Sequence, residues 1–147
     1  MSAHRPSFSR RVFVDASAYF AVANRRDTHH TAAQAALGQL IAEHRPLFTT
    51  NFILAETHAL LLTKVNRDVA ARVLFEIDKS QMTTIIRVST ADEARARDII
   101  RQYQDKNFSL TDATSFAVME RLGISQAFTF DGNFRQYGYT VIPTELG

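Results

Sequence analysis

Five short apolar runs alternate with stretches of helical periodicity along this chain, and that alternation restricts the folds open to it. The runs are Val12–Val14, Leu47–Thr49, Thr83–Val88, Ala127–Thr129 and Tyr139–Ile142. Between them the periodicity predicts helices near Ser17–Ala23, Thr28–Glu43, Phe52–Val65, Asp68–Asp78, Ala91–Asp105 and Asp112–Leu122. Strands separated by helices do not close as hairpins; each crosses over to lie parallel to a neighbour. The expectation is an α/β fold, a parallel sheet covered by helices on both faces.

Local chemistry marks several boundaries. Thr90-Ala91-Asp92-Glu93 and Ser109-Leu110-Thr111-Asp112 both match the capping-box pattern, and Gly123 is placed to stop a helix. The chain has 147 residues, the size of one ordinary domain with a real core. No low-complexity linker or internal repeat divides it, so residues 11–147 are expected to form a single domain behind a loose leader, residues 1–10.

Composition narrows the function classes. Apolar residues make up 46% and charged residues 22%, the balance of a soluble globular protein. No apolar stretch approaches the roughly 18 residues that span a bilayer, so no membrane association is expected. The basic N-terminus lacks the apolar segment and cleavage site of a signal peptide. The absence of cysteine excludes disulfides, a thiolate nucleophile and cysteine-ligated zinc. A cytoplasmic protein fits best. Of 17 basic residues only Lys64, Lys79 and Lys106 are lysines. Arginine suits phosphate contacts, so composition permits a nucleic-acid substrate without requiring one.

Four acidic residues stand where carboxylates are uncommon. Asp15 ends the run Val12-Phe13-Val14, and Asp131 follows Ala127-Phe128-Thr129-Phe130. In open α/β sheets ligands bind beyond the carboxyl ends of the strands, which is where both lie. Asp15 is also a helix-cap candidate, but Ser17 offers a second one. Asp131 precedes Gly132, a turn signal in its own right. Asp112 is explicable as the third residue of the Ser109 capping box, and the helix dipole there favours its ionised form. Glu56 shares a helical face with Phe52, Ile53, Ala59 and Leu60 and is expected on the core side. A buried carboxylate needs a partner: a base, a backbone donor or a metal. The five histidines form no set with zinc spacing and read as mostly surface residues. Nucleophile-elbow and phosphate-loop motifs are missing.

In motif order the chain resembles the PIN-domain ribonucleases, specifically the VapC-type toxins of toxin–antitoxin pairs. The resemblance runs from Val12 to Ile142. It rests on Val12-Phe13-Val14-Asp15-Ala16-Ser17, Thr50-Asn51-Phe52-Ile53-Leu54-Ala55-Glu56, Ser109-Leu110-Thr111-Asp112-Ala113, and Thr129-Phe130-Asp131-Gly132-Asn133-Phe134. It implies a three-layer α/β/α sandwich with a central parallel five-stranded sheet. It further implies that Asp15, Glu56, Asp112 and Asp131 surround one or two magnesium or manganese ions, supported by Ser17, Thr129 and Asn133. The activity implied is metal-dependent endoribonuclease cleavage of RNA phosphodiester bonds, in a homodimer with a cognate antitoxin. Three alternatives remain: an RNA-processing nuclease outside a toxin system, a non-catalytic RNA- or protein-binding scaffold, and a haloacid-dehalogenase-like phosphatase. The phosphatase pattern calls for a second aspartate where this chain has Ser17.

Overall fold

The structure, a computed structural model, describes residues 10–144. The expected leader therefore lies outside the described residues except for Arg10, whose carbonyl accepts from Arg45 Nε at 2.7 Å. Among the described residues there are five strands: β1 (Val12–Val14), β2 (Leu47–Thr50), β3 (Thr83–Ile86), β4 (Gln126–Phe128) and β5 (Thr140–Ile142). Among the described residues there are seven helices: α1 (Ala16–Ala23), α2 (His30–Ala42), α3 (Asn51–Lys64), α4 (Arg67–Lys79), α5 (Thr90–Gln102), α6 (Leu110–Leu122) and α7 (Asn133–Tyr137). The sheet order is β3-β2-β1-β4-β5, every pair parallel. The chain builds outward from β1 to one edge, then returns to build outward to the other. β1 and β4 thus flank the topological switch point, where open parallel sheets leave a crevice at the strand ends.

β1 is buried on both faces, and its alternation divides the core. Val12 and Val14 pack with Ala18, Ala33, Leu40 and Phe128 under α1 and α2, whereas Phe13 turns to the other face. There Phe13 meets Ile99, Phe116, Ala127 and Phe134 beneath α5 and α6. A third cluster, Leu61, Ala70, Val73 and Ile77, binds α3 to α4. None of the helices among the described residues is long and apolar enough to cross a membrane.

Predicted and observed boundaries differ for local reasons. The expected capping box at Thr90 sits one residue earlier: Ser89 is the cap and Asp92 its third-position partner. Ser109 and Asp112 form the other box as expected, and Gly123 ends α6 in the left-handed region at φ 68°. β3 stops at Ile86 rather than Val88, because the Val88 N–H donates to the Asn51 side chain at 2.9 Å instead of continuing the ladder. α2 starts at His30, two residues beyond the expected Thr28, after a turn in which Asp27 Oδ2 accepts from the His29 N–H at 2.9 Å.

The short helix α7 was not evident in the pattern. It exists because Phe134, fully buried, pins it against the core. Its ring meets Phe116 edge-on at 5.0 Å and 88°, and lies 6.2 Å from Phe13. Removing a buried phenylalanine ring leaves a cavity and costs about 3–5 kcal/mol. Phe134→Ala should accordingly lower the unfolding free energy by about that much in urea titration. An unchanged midpoint would contradict the packing described.

Candidate active site

Three of the four acidic residues owe their positions to helix starts or turns at the carboxyl end of the sheet. Asp15 follows β1 directly and caps α1, accepting from the Ser17 N–H at 3.4 Å. Its Oδ2 also accepts from Ser17 Oγ at 2.8 Å and from Thr129 Oγ1 at 3.0 Å. The two hydroxyls lie 3.1 Å apart, so β1 and β4 are tied together around one carboxylate oxygen. The network continues outward. Ser17 Oγ accepts from the Phe130 N–H at 2.9 Å, and Thr129 Oγ1 from the Asp131 N–H at 3.0 Å. Asp131 Oδ1 in turn accepts from the Asn133 N–H at 2.9 Å, starting α7.

Asp112 is the third residue of α6. Its Oδ2 accepts from the Ser109 N–H at 3.1 Å and from Asn133 Nδ2 at 2.9 Å. Asn133 therefore links the Asp131 turn to Asp112. In Asp15 and in Asp112 alike, several donors converge on the same oxygen, Oδ2.

Glu56 corrects the sequence reading. It is exposed, not core-facing. The buried face of α3 runs through Ile53, Thr57 and Leu61, and Glu56 stands about 100° round the helix from its centre. Phe52 and Ala59 misled the reading, being half-buried and exposed respectively. Glu56 nevertheless belongs to the cluster electrostatically. Desolvation at the rim, then the charges of Asp15, Asp112 and Asp131, push its carboxyl up to about 7.

Burial likewise pushes Asp15 up to about 6 against the Ser17 and Thr129 hydrogen bonds, and Asp112 adds repulsion. Asp112 is raised by burial, with Asn133 opposing and Asp131 adding its charge. Asp92 provides the contrast. It is as buried as Asp15, 3% exposed against 5%. Yet Arg121 grips it through two hydrogen bonds of 2.8 Å and holds its carboxyl below the usual range. Asp92 is a structural acid with a built-in cation. Desolvation leads at Asp15, Glu56 and Asp112, like charges add to it, and hydrogen bonds from neutral groups oppose it at Asp15 and Asp112; no cation is among these influences.

An all-oxygen cluster of this kind suits a hard divalent ion over zinc. Among the described residues, no group of three or more histidine and acidic side chains is gathered closely enough to hold a metal by itself. Magnesium-like ions do not need such a cage. They keep several waters and take one or two carboxylates plus substrate phosphate. The donor set fits an ion held partly through water.

Residues 12–138 match the PIN domain family. This chain belongs to it. It is 35% identical over 138 residues to the 23S rRNA-specific endonuclease VapC20 of Mycobacterium tuberculosis, covering 91% of this chain and 99% of that protein. The crystal structure of VapC20, a sarcin-ricin loop cleaving toxin, superposes with a TM-score of 0.79 at 32% identity, covering 88% of this chain and 96% of that one. FitAcB from Neisseria gonorrhoeae shares the fold, with a TM-score of 0.64 at 15% identity over 88% and 95% of the two chains. The five-stranded parallel PIN architecture is thus as expected. PIN nucleases generally use a divalent metal.

One contact at the cluster's edge was not legible in the sequence. His29, taken only as a surface residue, stacks on Phe130 with ring centroids 4.5 Å apart. Nothing in spacing could reveal a contact between residues about a hundred positions apart.

The raised pKa of Asp15 has a consequence for stability. Between pH 3.8 and about 6 the folded chain keeps a proton that the unfolded chain has released. Stability is therefore lost as pH rises through that window. The rise is worth about 3 kcal/mol. In chelator, Asp15→Asn should be more stable than the parent at pH 7.5 by up to about 3 kcal/mol, with the gap closing near pH 4. Urea titrations at both pH values test this; a gap independent of pH would contradict it.

Proposed function

We propose that this PIN domain is a metal-dependent endoribonuclease that hydrolyses RNA phosphodiester bonds and serves as the toxin of a toxin–antitoxin pair. The observation that carries the reading is the proximity of Asp15, Glu56, Asp112 and Asp131 at the switch point of the sheet, where desolvation and like charge raise three of the carboxyls and only neutral hydrogen bonds oppose the rise. The likeness to a 23S rRNA-specific endonuclease along nearly its whole length supports it. Ribosomal RNA, at an exposed loop, is the substrate class we assign.

A bound Mg²⁺ or Mn²⁺, one ion or two, would neutralise charge on the scissile phosphate and make water more acidic. Asp15 and Asp112 would hold it, directly or through water, from carboxylates whose Oδ2 atoms are fixed by Ser17, Thr129, Ser109 and Asn133. Asp131 would complete the site or orient the attacking water, and Glu56 would approach from the rim. A small antitoxin protein and a second copy of the chain are the partners this reading assigns. In the phosphatase alternative, the residue two beyond the nucleophile is an acid/base aspartate. Here Ser17 Oγ is engaged by Asp15 and by the Phe130 N–H, a tether without acid/base capacity.

Sequencing of RNA 5′ ends after induction tests the reading directly. Wild type should create new ends at defined positions, and Asp15→Asn should reduce them at least about 100-fold. In vitro, chelator should abolish cleavage and Mg²⁺ or Mn²⁺ restore it. Undiminished cleavage by pure, folded Asp15→Asn would overturn the assignment.

A further inference from the structure

Next to the carboxylates, a cavity of about 250 Å³ opens between the turn before α2 and the segment after β4. His29, Phe130, Asp131, Arg135 and Pro143 are among the residues lining it. We propose that it receives one unpaired nucleobase of the substrate RNA, adjacent to the scissile phosphate, with the His29–Phe130 pair as its stacking shelf. The proposal rests on the ribonuclease reading above.

Three observations converge on this subsite. The first is the shape of the shelf. His29 and Phe130 are nearly parallel, 14° apart at 4.5 Å, and the His29 side is exposed to solvent. A stacked pair open on one side offers a flat apolar surface to another ring. Proteins that read single-stranded RNA hold splayed-out bases on aromatic and histidine planes of this kind.

The second is rigidity. Phe130 is backed by buried Phe128, 6.2 Å away at 65°. The Phe130 backbone is held by Ser17 Oγ and the His29 backbone by Asp27. A shelf fixed before binding loses little freedom when a base lands on it.

The third is continuity with the acids. The hydroxyl that anchors Phe130 is the one that donates to Asp15, so one oxygen sets the spacing between shelf and carboxylate. Thr129 and Asp131 line the cavity and also belong to the acidic network. Arg135 adds a cation to the wall, matching the phosphates that flank any base in a strand. A flat ring beside a cation, within a strand whose phosphate reaches the acidic cluster, is a nucleotide of single-stranded RNA.

The test uses the full chain and a stem-loop RNA carrying the site mapped by 5′-end sequencing. His29→Ala should raise KM about tenfold, the scale of one lost base stack, with kcat little changed, and His29→Phe should restore it. Abasic substitutions walked through the RNA loop locate the base. In wild type, one position beside the cleaved bond should weaken binding about tenfold, and in His29→Ala that position alone should lose its effect. His29 is exposed, so its replacement leaves the core intact; Phe130→Leu provides a second variant with the same expectation. Wild-type KM in His29→Ala, or the same abasic profile in both proteins, overturns the subsite while cleavage continues. Failure of wild type to cleave or bind any RNA overturns the ribonuclease reading and the subsite with it.

Discussion

The position of β1 governs the rest of the molecule. It is only three residues long, yet it pairs in parallel with β2 on one side and β4 on the other. Its alternate side chains seed two separate cores, Val12 and Val14 on one face and Phe13 on the other. A strand so placed leaves the chain no choice about where its next residue goes. Asp15 emerges at the point where the two halves of the sheet diverge, and hydroxyls from α1 and from the end of β4 close on its Oδ2.

That placement sets stability against chemistry. A buried aspartate is inexpensive when an arginine accompanies it, as Arg121 accompanies Asp92. The acidic cluster instead relies on hydroxyls, an asparagine amide and backbone donors, all neutral. They orient the carboxylates without cancelling their charge, so repulsion persists and favours whatever cation enters. Neutral support is what distinguishes the proposed site from the Asp92–Arg121 ion pair. Low solvent exposure alone does not, since Asp15 and Asp92 are both almost inaccessible to solvent.

Sequence exposed the architecture well because strand–helix alternation and capping chemistry are local. Asp15, Ser109, Asp112 and Gly123 occupy the caps and stops that their neighbours in sequence predict. Three features were less legible, each for a physical reason. Glu56 was assigned to the wrong side of α3 because the apolar pattern there is broad, and only the neighbours α3 packs against determine its buried stripe. α7 has five residues, too few for periodicity, and depends on Phe134 finding Phe116 across the core. The His29–Phe130 stack joins two loops that only the folded sheet brings together. The resemblance to PIN nucleases supplied the shared role proposed for the acids, which no single motif could.

The doubling of roles at Asp112 and Asn133 reaches into how the protein comes to exist. Asp112 is fixed by the same bonds that begin α6, and Asn133 by the turn that begins α7. The acids are spread from position 15 to position 131 of a 147-residue chain, and Thr129, which braces Asp15, also lies near the end. A chain still emerging from the ribosome holds only part of the cluster, and its first aspartate lacks half its hydroxyl support. A site that needs all four acids can therefore assemble only after position 131 has been added.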